Sequence, residues 1–153
     1  MTTMQSIEAD LCIIGAGSGG LSVAAGATQM GARVVLIEKG KMGGDCLNYG
    51  CVPSKALIAA AAAADGVRKA GRFGVNGHEP TVDFPRVRDH LRGVIAAIAP
   101  HDSVERFEGL GVTVIQASAR FTGPREVVAG DTTVRARRFV IATGSSAAVP
   151  PVP

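Results

Sequence analysis

The chain has 153 residues, which suits one domain with its own core, and hydrophobic residues make up 46% of it, which excludes a disordered protein. A net charge of +3 with only 4% aromatic residues argues against nucleic-acid binding, because single-strand binders depend on basic grooves and aromatic stacking. No segment has the ~18 consecutive apolar residues of a membrane span, and the N-terminus lacks a signal-peptide pattern, so the sequence predicts a cytoplasmic protein without membrane contact.

The first elements predict a strand, a helix and a second strand. Residues 10–14 form a short apolar run that predicts a buried parallel strand. Ser18–Met30 has small and apolar residues at helical spacing, and Gly31 is a plausible C-terminal cap. Residues 33–38 predict a second buried strand. This order predicts a βαβ unit with a right-handed crossover.

Residues 15–20 match the phosphate-binding pattern G-x-G-x-x-G between that strand and helix. Gly15 allows the tight turn, Gly17 lets the backbone approach a pyrophosphate, and Gly20 lets helix and strand pack closely. Glu38 ends the second strand, where its carboxylate can accept hydrogen bonds from a ribose and would repel a 2′-phosphate. The site is therefore predicted to hold FAD or NAD rather than NADP, and the motif alone does not separate the first two.

A long helix is predicted next, with Asp45 as its cap and Gly71 as its stop. Pro53 lies inside this helix, so we expect a distorted opening over residues 46–53. Asp83 is predicted to cap a further helix with an apolar stripe. The members of that stripe are Phe84, Val87, Leu91, Val94, Ile95 and Ile98.

The last third of the chain changes from helical to strand-like periodicity. Asp102 and Glu105 resemble a capping box for one more short helix, which Gly111 ends. Strands are then predicted at 112–116, 118–121, 126–128, 132–135 and 138–142, with turns at 123–124 and 130–131. The proline-rich tail predicts a connector.

Cys46 and Cys51 form a pair whose spacing requires a deformed helix. Residues five apart on a regular helix do not face each other, whereas a disulfide needs α-carbons about 4.4–6.8 Å apart. Gly50 and Pro53 can supply the deformation. In a reducing compartment a close pair near a cation such as Lys55 indicates a redox-active disulfide rather than a structural one. No matching Cys/His ligands follow, so no metal site is predicted.

The phosphate loop, Glu38, the segment GGDCLNYGCVPSK at 43–55 and Ala-Thr-Gly at 142–144 together resemble the pyridine nucleotide-disulfide oxidoreductases. That family includes dihydrolipoamide dehydrogenase, glutathione reductase and mercuric reductase. Tyr49 departs from the smaller apolar residue common between the cysteines. The resemblance implies an α/β fold: a truncated Rossmann-like FAD-binding domain with a parallel sheet and a small antiparallel β-meander.

The resemblance also implies roles for individual residues. Cys51 would form a charge-transfer complex with FAD, Cys46 would attack the substrate, and Lys55 would lie near the flavin; these three are the expected catalytic residues. Further residues are expected to bind FAD: Gly15, Gly17, Ser18, Gly19, Gly20, Glu38, Lys39, Gly44, Asp45, Gly50, Ala119, Ala142, Thr143 and Gly144.

The family members are longer than this chain. Residues 1–149 would be the N-terminal part of the FAD-binding domain, and 150–153 would begin a connector to a missing NAD(P)-binding domain. The parent is expected to be a homodimer that transfers electrons from NAD(P)H through FAD and the Cys46–Cys51 disulfide to a disulfide or metal-ion substrate. Two alternatives stay open: a non-catalytic truncated nucleotide-binding module, which is preferred for the chain alone, and an NAD-dependent dehydrogenase fragment with an incidental cysteine pair.

Overall fold

The computed structural model describes residues 5–146 and 148–152, and it divides into two compact units. The first unit comprises residues 1–44 and 101–153, and the second comprises residues 45–100. Residues 1–4, 147 and 153 belong to the predicted domain and connector ranges but lie outside the described residues. In the described part of the chain, no helix is both long and apolar enough to cross a membrane.

The predicted βαβ unit is confirmed in the first unit. Strand β1 (Gln5–Ile14) is followed by helix α1 (Ser18–Gln29) and strand β2 (Val34–Ile37). Strand β1 begins five residues before the predicted start at residue 10. Its paired partner strand explains the extra length, because the partner offers backbone hydrogen bonds along the polar N-terminal half as well.

The first unit is built on a sheet that contains β1, β2 and four later strands: β3 (Thr113–Ile115), β4 (Ala119–Gly123), β5 (Glu126–Ala129) and β6 (Thr132–Ile141). The six strands lie in the order β3-β2-β1-β6-β5-β4. Strands β3, β2, β1 and β6 pair in parallel, whereas β4, β5 and β6 form an antiparallel meander. The predicted Rossmann-like α/β sheet with a small meander is therefore confirmed.

Strand β6 corrects one prediction. Separate strands were expected at 132–135 and 138–142. The structure has one continuous strand, paired with β1 from Gln5↔Thr132 to Ile14↔Ile141. Its first half also pairs with β5, so β6 joins the meander to the parallel sheet.

The core lies on both faces of this sheet. Val35 and Ile37 of β2 pack on one face with Val127 and Val134 of the meander strands. The other face packs against α1 and against helix α5 (Val104–Gly109), and its buried residues include Ile13, Val34, Leu21 and Phe107. Because β2 is buried on both faces, its sequence is continuously apolar rather than alternating.

The second unit contains a helical hairpin and differs from prediction at the ends of its first helix. Instead of one distorted helix capped by Asp45, the chain forms α2 (Gly44–Asn48) and α3 (Cys51–Lys69). Asp45 lies inside α2 and is not its cap. Pro53 is the third residue of α3, where a helix has no acceptor for a backbone N–H, so the proline costs no helical hydrogen bond.

The ends of the later helices refine the predictions. A 3₁₀ turn (Ala70–Phe73) extends α3, so Gly74 with φ 77° is the stop and Gly71 is not. Helix α4 (Phe84–Ile98) is capped as predicted, since the Asp83 carboxylate accepts from the Arg86 N–H.

The cap of α5 is Ser103 rather than Asp102. The Ser103 hydroxyl accepts the Arg106 N–H at 3.2 Å, and a second 3₁₀ turn (Ala99–Asp102) precedes it. Asp102 thus belongs to the preceding turn, and the expected Asp102–Glu105 capping box is wrong. Serine and aspartate are nearly equal as caps, so the sequence did not favour Ser103 over its neighbour Asp102.

Candidate functional site

The phosphate loop joins β1 to α1 with two close backbone approaches. A side chain at Gly20 would overlap the carbonyl oxygen of Gly15, and one at Gly15 would overlap the carbonyl oxygen of Ala142. Gly17 faces more open space, because an added Cβ there would meet nothing closer than the Gly44 Cα at 3.9 Å. The loop is therefore tight where it packs on the sheet and open where a ligand could approach.

The start of α1 suits an anion. Ser18 begins the helix and is exposed, as is Gly19, whose added Cβ would meet no atom within 4 Å. The first N–H groups of any helix have no intrahelical acceptor, and the helix dipole places partial positive charge there. These exposed donors can hold a phosphate group.

Glu38 connects the phosphate loop to the loop after β2. One carboxylate oxygen accepts the Ala16 N–H at 2.6 Å, and the other accepts the Gly40 N–H at 2.6 Å. From the sequence, Glu38 was predicted only to accept ribose hydroxyls. Its hydrogen bond with the Ala16 N–H was not predicted. A carboxylate has about four acceptor positions, so both oxygens retain capacity for hydroxyl donors.

Gly44 continues the same surface within the first unit. Its φ is 57°, and an added Cβ would lie 2.7 Å from the Gly17 Cα. The Gly43 N–H also donates to the Ala16 carbonyl at 2.9 Å. The loop after β2 thus lies directly against the phosphate loop, and glycine at 44 permits this contact.

A cleft of about 210 Å³ opens beside the phosphate loop. Glu38 and Lys39 line it on one side, and Ala119 and Thr143 contribute from the later strands. Ala142, just after β6, donates its N–H to the Ile14 carbonyl at 2.8 Å, which brings the 142–144 segment beside the loop. The structure therefore gathers most of the expected cofactor-binding residues in the first unit.

The cysteines flank a helix break in the second unit. Cys46 lies in α2 and is half-buried, whereas Cys51 is the first residue of α3 and is exposed. Residues 49 and 50 separate the two helices. The prediction that the helix must deform between the cysteines is confirmed. Lys55 is exposed one helical turn after Cys51.

Gly50 is the residue on which this break depends. The Asp45 carbonyl accepts N–H bonds from both Tyr49 at 2.8 Å and Gly50 at 2.7 Å, so the last turn of α2 widens by one residue. A Cβ at position 50 would lie 2.8 Å from the Asp45 carboxylate, 3.0 Å from its carbonyl oxygen and 3.3 Å from the Cys46 Cα. Only glycine fits this contact without displacement.

Ser54 was not selected from the sequence. Its hydroxyl donates to the Gly50 carbonyl at 2.7 Å and lies 3.2 Å from the Cys51 carbonyl oxygen. A serine four residues after a glycine gives no sequence signal, because the same spacing occurs throughout ordinary helices. The bond lies in the first turn of α3, whose N-cap is Gly50.

The third cysteine has a different environment. Cys12 is fully buried in β1, and burial raises the pKa of its thiol to about 11. It is therefore a protonated core residue at neutral pH. Within residues 5–146 and 148–152, no group of three or more His, Cys, Asp or Glu side chains is placed to hold a metal ion.

Comparison with known proteins decides the family. The model of the pyridine nucleotide-disulphide oxidoreductases matches residues 9–153. The chain belongs to this family. This confirms the resemblance that was drawn from the phosphate loop and the cysteine segment.

Similar proteins include a mercuric reductase and a dihydrolipoyl dehydrogenase. The chain is 41% identical to a mercuric reductase of Streptomyces lividans, over 92% of this chain and 31% of the relative. It is 35% identical to a dihydrolipoyl dehydrogenase of Acholeplasma laidlawii, over 97% of this chain and 44% of the relative. The chain thus spans less than half the length of these relatives.

A solved structure in the same oxidoreductase class has a similar fold. The Cu(II) complex of the HOCl-induced flavoprotein disulfide reductase RclA from Escherichia coli matches with a TM-score of 0.75 and 25% identity. The match covers 94% of this chain and 29% of that one. The sheet and helices described above are therefore those of a flavoprotein disulfide reductase fold.

Proposed function

We propose that the chain is the FAD-binding portion of an NAD(P)H-dependent flavoprotein disulfide oxidoreductase. In the whole protein, the Cys46–Cys51 pair would pass electrons to a disulfide or metal-ion substrate. The observation that carries the proposal is the helix break at Gly50 between the half-buried Cys46 and the exposed Cys51, in a chain of this family. Strained or exposed disulfides are the readily reduced ones, so the exposure of Cys51 favours a redox role over a structural one.

The residues of the first unit fit the adenosine and pyrophosphate of FAD. The open side of Gly17 and the start of α1 would hold the pyrophosphate. Glu38 would accept the ribose hydroxyls, and Ala119 would border the adenine in the cleft. Bound FAD would supply the two-electron reducing chemistry.

The chain's own contribution to that chemistry is the dithiol. Cys51 is the exposed first residue of α3, and Lys55 lies one helical turn further along the same helix. Cys51 would be the thiol on the flavin side of the pair. Cys46 would be the partner that exchanges with substrate, and the exposed side of α2 at Asp45 leaves it a route to solvent.

Disulfide mapping on the purified chain tests the redox pair. Trypsin cleavage after Lys41 and Lys55 releases both cysteines in one peptide, residues 42–55, and leaves Cys12 in another. After treatment with oxidised dithiothreitol, we expect peptide 42–55 to be lighter by two hydrogens. The buried Cys12 is the internal control and should stay reduced. Disulfides that join separate chains, or no oxidation of peptide 42–55, would contradict the proposal.

Calorimetric titration with FAD and with ADP tests the nucleotide site. We expect both to bind, and Glu38→Gln to weaken both about tenfold, because it removes a charge-assisted acceptor for the ribose. Glu108→Gln makes the same charge change at an exposed position on α5 and should bind as the wild type does. If the wild type binds neither nucleotide, the chain alone is a module without a working site.

A further inference from the structure

A cavity lined by arginines opens on the first unit, apart from the cleft beside the phosphate loop. Its volume is about 500 Å³, within the range of small-molecule sites, and it shares no lining residue with that cleft. Strands β1 and β6, the residue before β2 and the β4–β5 turn form the walls of this arginine cavity. Its charged lining residues are Glu8, Arg33, Arg125, Glu126, Arg135 and Arg137.

The sheet brings the charged side chains together from distant parts of the chain. Glu8 of β1 pairs in register with Arg135 of β6, and Arg135 pairs in register with Glu126 of β5. Registered partners on adjacent strands point to the same face of a sheet, so these three side chains form a row across three strands. Arg137 lies two residues after Arg135 in β6 and shares that face.

Two carboxylates hold arginines of the cavity in place. Asp10 accepts from the Arg33 Nε at 3.2 Å and from its Nη2 at 3.4 Å, and an oxygen of Asp10 lies 3.7 Å from the Arg137 Nη1. Glu126 accepts from the Arg135 Nε at 2.9 Å. A guanidinium has five N–H donors, so each of these arginines keeps donors for a further acceptor.

Arg125 supplies a positive charge that the protein does not neutralise. It is exposed, and no described residue makes a hydrogen bond or an ion pair with its side chain. Its backbone carbonyl accepts the Ala136 N–H at 3.2 Å, which holds the β4–β5 turn beside β6. Even with Asp10 counted, four guanidinium groups face three carboxylates, so the cavity keeps a positive charge.

We propose that the arginine cavity binds a small ligand that carries two adjacent phosphate groups. A carboxylate presents its oxygens in one plane, whereas two tetrahedral phosphates present oxygens in several directions. The arginines approach from β6, from the β4–β5 turn and from the residue before β2, which suits the phosphates, and guanidinium forks bind phosphate oxygens in pairs.

This site is separate from the nucleotide site of the proposed function and does not depend on it. Glu8 lies seven residues before Gly15 along β1, a separation of roughly 20 Å at the rise of an extended strand. A phosphate bound in the arginine cavity would therefore not be the one held at the start of α1.

Titration of the ¹⁵N-labelled 153-residue chain with inorganic pyrophosphate, followed by two-dimensional NMR, tests the proposal. The amide signals of Gly123 and Ala136 report on the arginine cavity, whereas those of Gly17 and Gly19 report on the phosphate loop, which can also bind this probe. We expect saturable shifts of the cavity signals and weaker binding at high salt, because exposed charges are screened. Citrate should bind at the cavity at least about tenfold more weakly, since its carboxylates are planar.

Two variants with the same change of charge locate the effect. Arg125→Gln should weaken pyrophosphate binding at the cavity about tenfold, the effect of one charge-assisted hydrogen bond, and should fold as the wild type does because its side chain is exposed. Arg120→Gln alters an exposed position of β4 outside the cavity and should leave the affinity unchanged. Unshifted cavity signals, an equal loss of affinity in both variants, or citrate binding as tight as that of pyrophosphate would overturn the proposal.

Discussion

Replacement of Gly20 with alanine is expected to lower the free energy of unfolding by about 3 kcal/mol or more. The added Cβ would overlap the carbonyl oxygen of Gly15, which is backbone and cannot rotate away. Relief would require α1 to move off the sheet, where it buries Leu21 and Ala24. Urea denaturation followed by circular dichroism measures the change.

Gly26→Ala is the matched control in the same helix. A Cβ at position 26 would meet no atom within 4 Å, and alanine is a better helix former than glycine by about 1 kcal/mol. That variant should be as stable as the wild type or slightly more stable. Equal destabilisation by both substitutions would show that the contact of position 20 with the phosphate loop does not cause the loss of stability.

The second large effect is expected from Gly50→Ala on the cysteine pair. The added methyl group would press on the Asp45 carbonyl oxygen and the Cys46 Cα, which are backbone atoms at 3.0 and 3.3 Å. The Asp45 carboxylate can turn aside, but these two atoms cannot, so the end of α2 must move away from the start of α3. We expect the equilibrium constant for disulfide formation in peptide 42–55 to fall more than tenfold.

Gly66→Ala controls for the loss of a glycine in α3. Position 66 has no neighbouring atom within 4 Å of an added Cβ, and the substitution raises helix propensity without touching the break. Its disulfide should form as in the wild type. If Gly50→Ala oxidised as readily as Gly66→Ala, the close contact at Gly50 would have no role in bringing the cysteines together.

The βαβ elements of the first unit could be predicted from regular apolar patterns and from the glycine spacing of the phosphate loop. The run at 34–37 is apolar on both faces, and the glycines at 15 and 20 stand where a strand must turn into a helix. These features depend on short-range chemistry that a single sequence displays. The family resemblance implied a parallel sheet with a small antiparallel meander, and the structure confirmed it, whereas the order of the strands was not predicted.

Other features depended on partners distant in sequence. Strand β6 runs through three arginines because β1 and β5 supply backbone partners, and Arg135 finds Glu126 at 2.9 Å. Local hydropathy contains no information about such partners. The bond from Glu38 to Ala16 was missed for the same reason, since 22 residues separate them.

The sequence predicted that the helix is deformed near the cysteines but did not locate the break. The cysteine spacing required a deformation, but composition placed it across residues 46–53, with Pro53 as a cause. The structure confines it to residues 49 and 50, and Pro53 simply occupies the first turn of a new helix. Proline is tolerated equally in a first turn and in a disrupted turn, so its presence did not locate the break.

The central position of β6 has a consequence for biosynthesis. Its partner β1 emerges from the ribosome first, yet the two strands lie more than a hundred residues apart in the chain. Until β6 is synthesised, β1 has β2 on one side and an edge of unpaired backbone N–H and C=O groups on the other. Such an edge can pair with strands of other nascent chains. Slow translation between β1 and β6 would therefore favour aggregation, and a chaperone that covers the edge of β1 during this interval would reduce it.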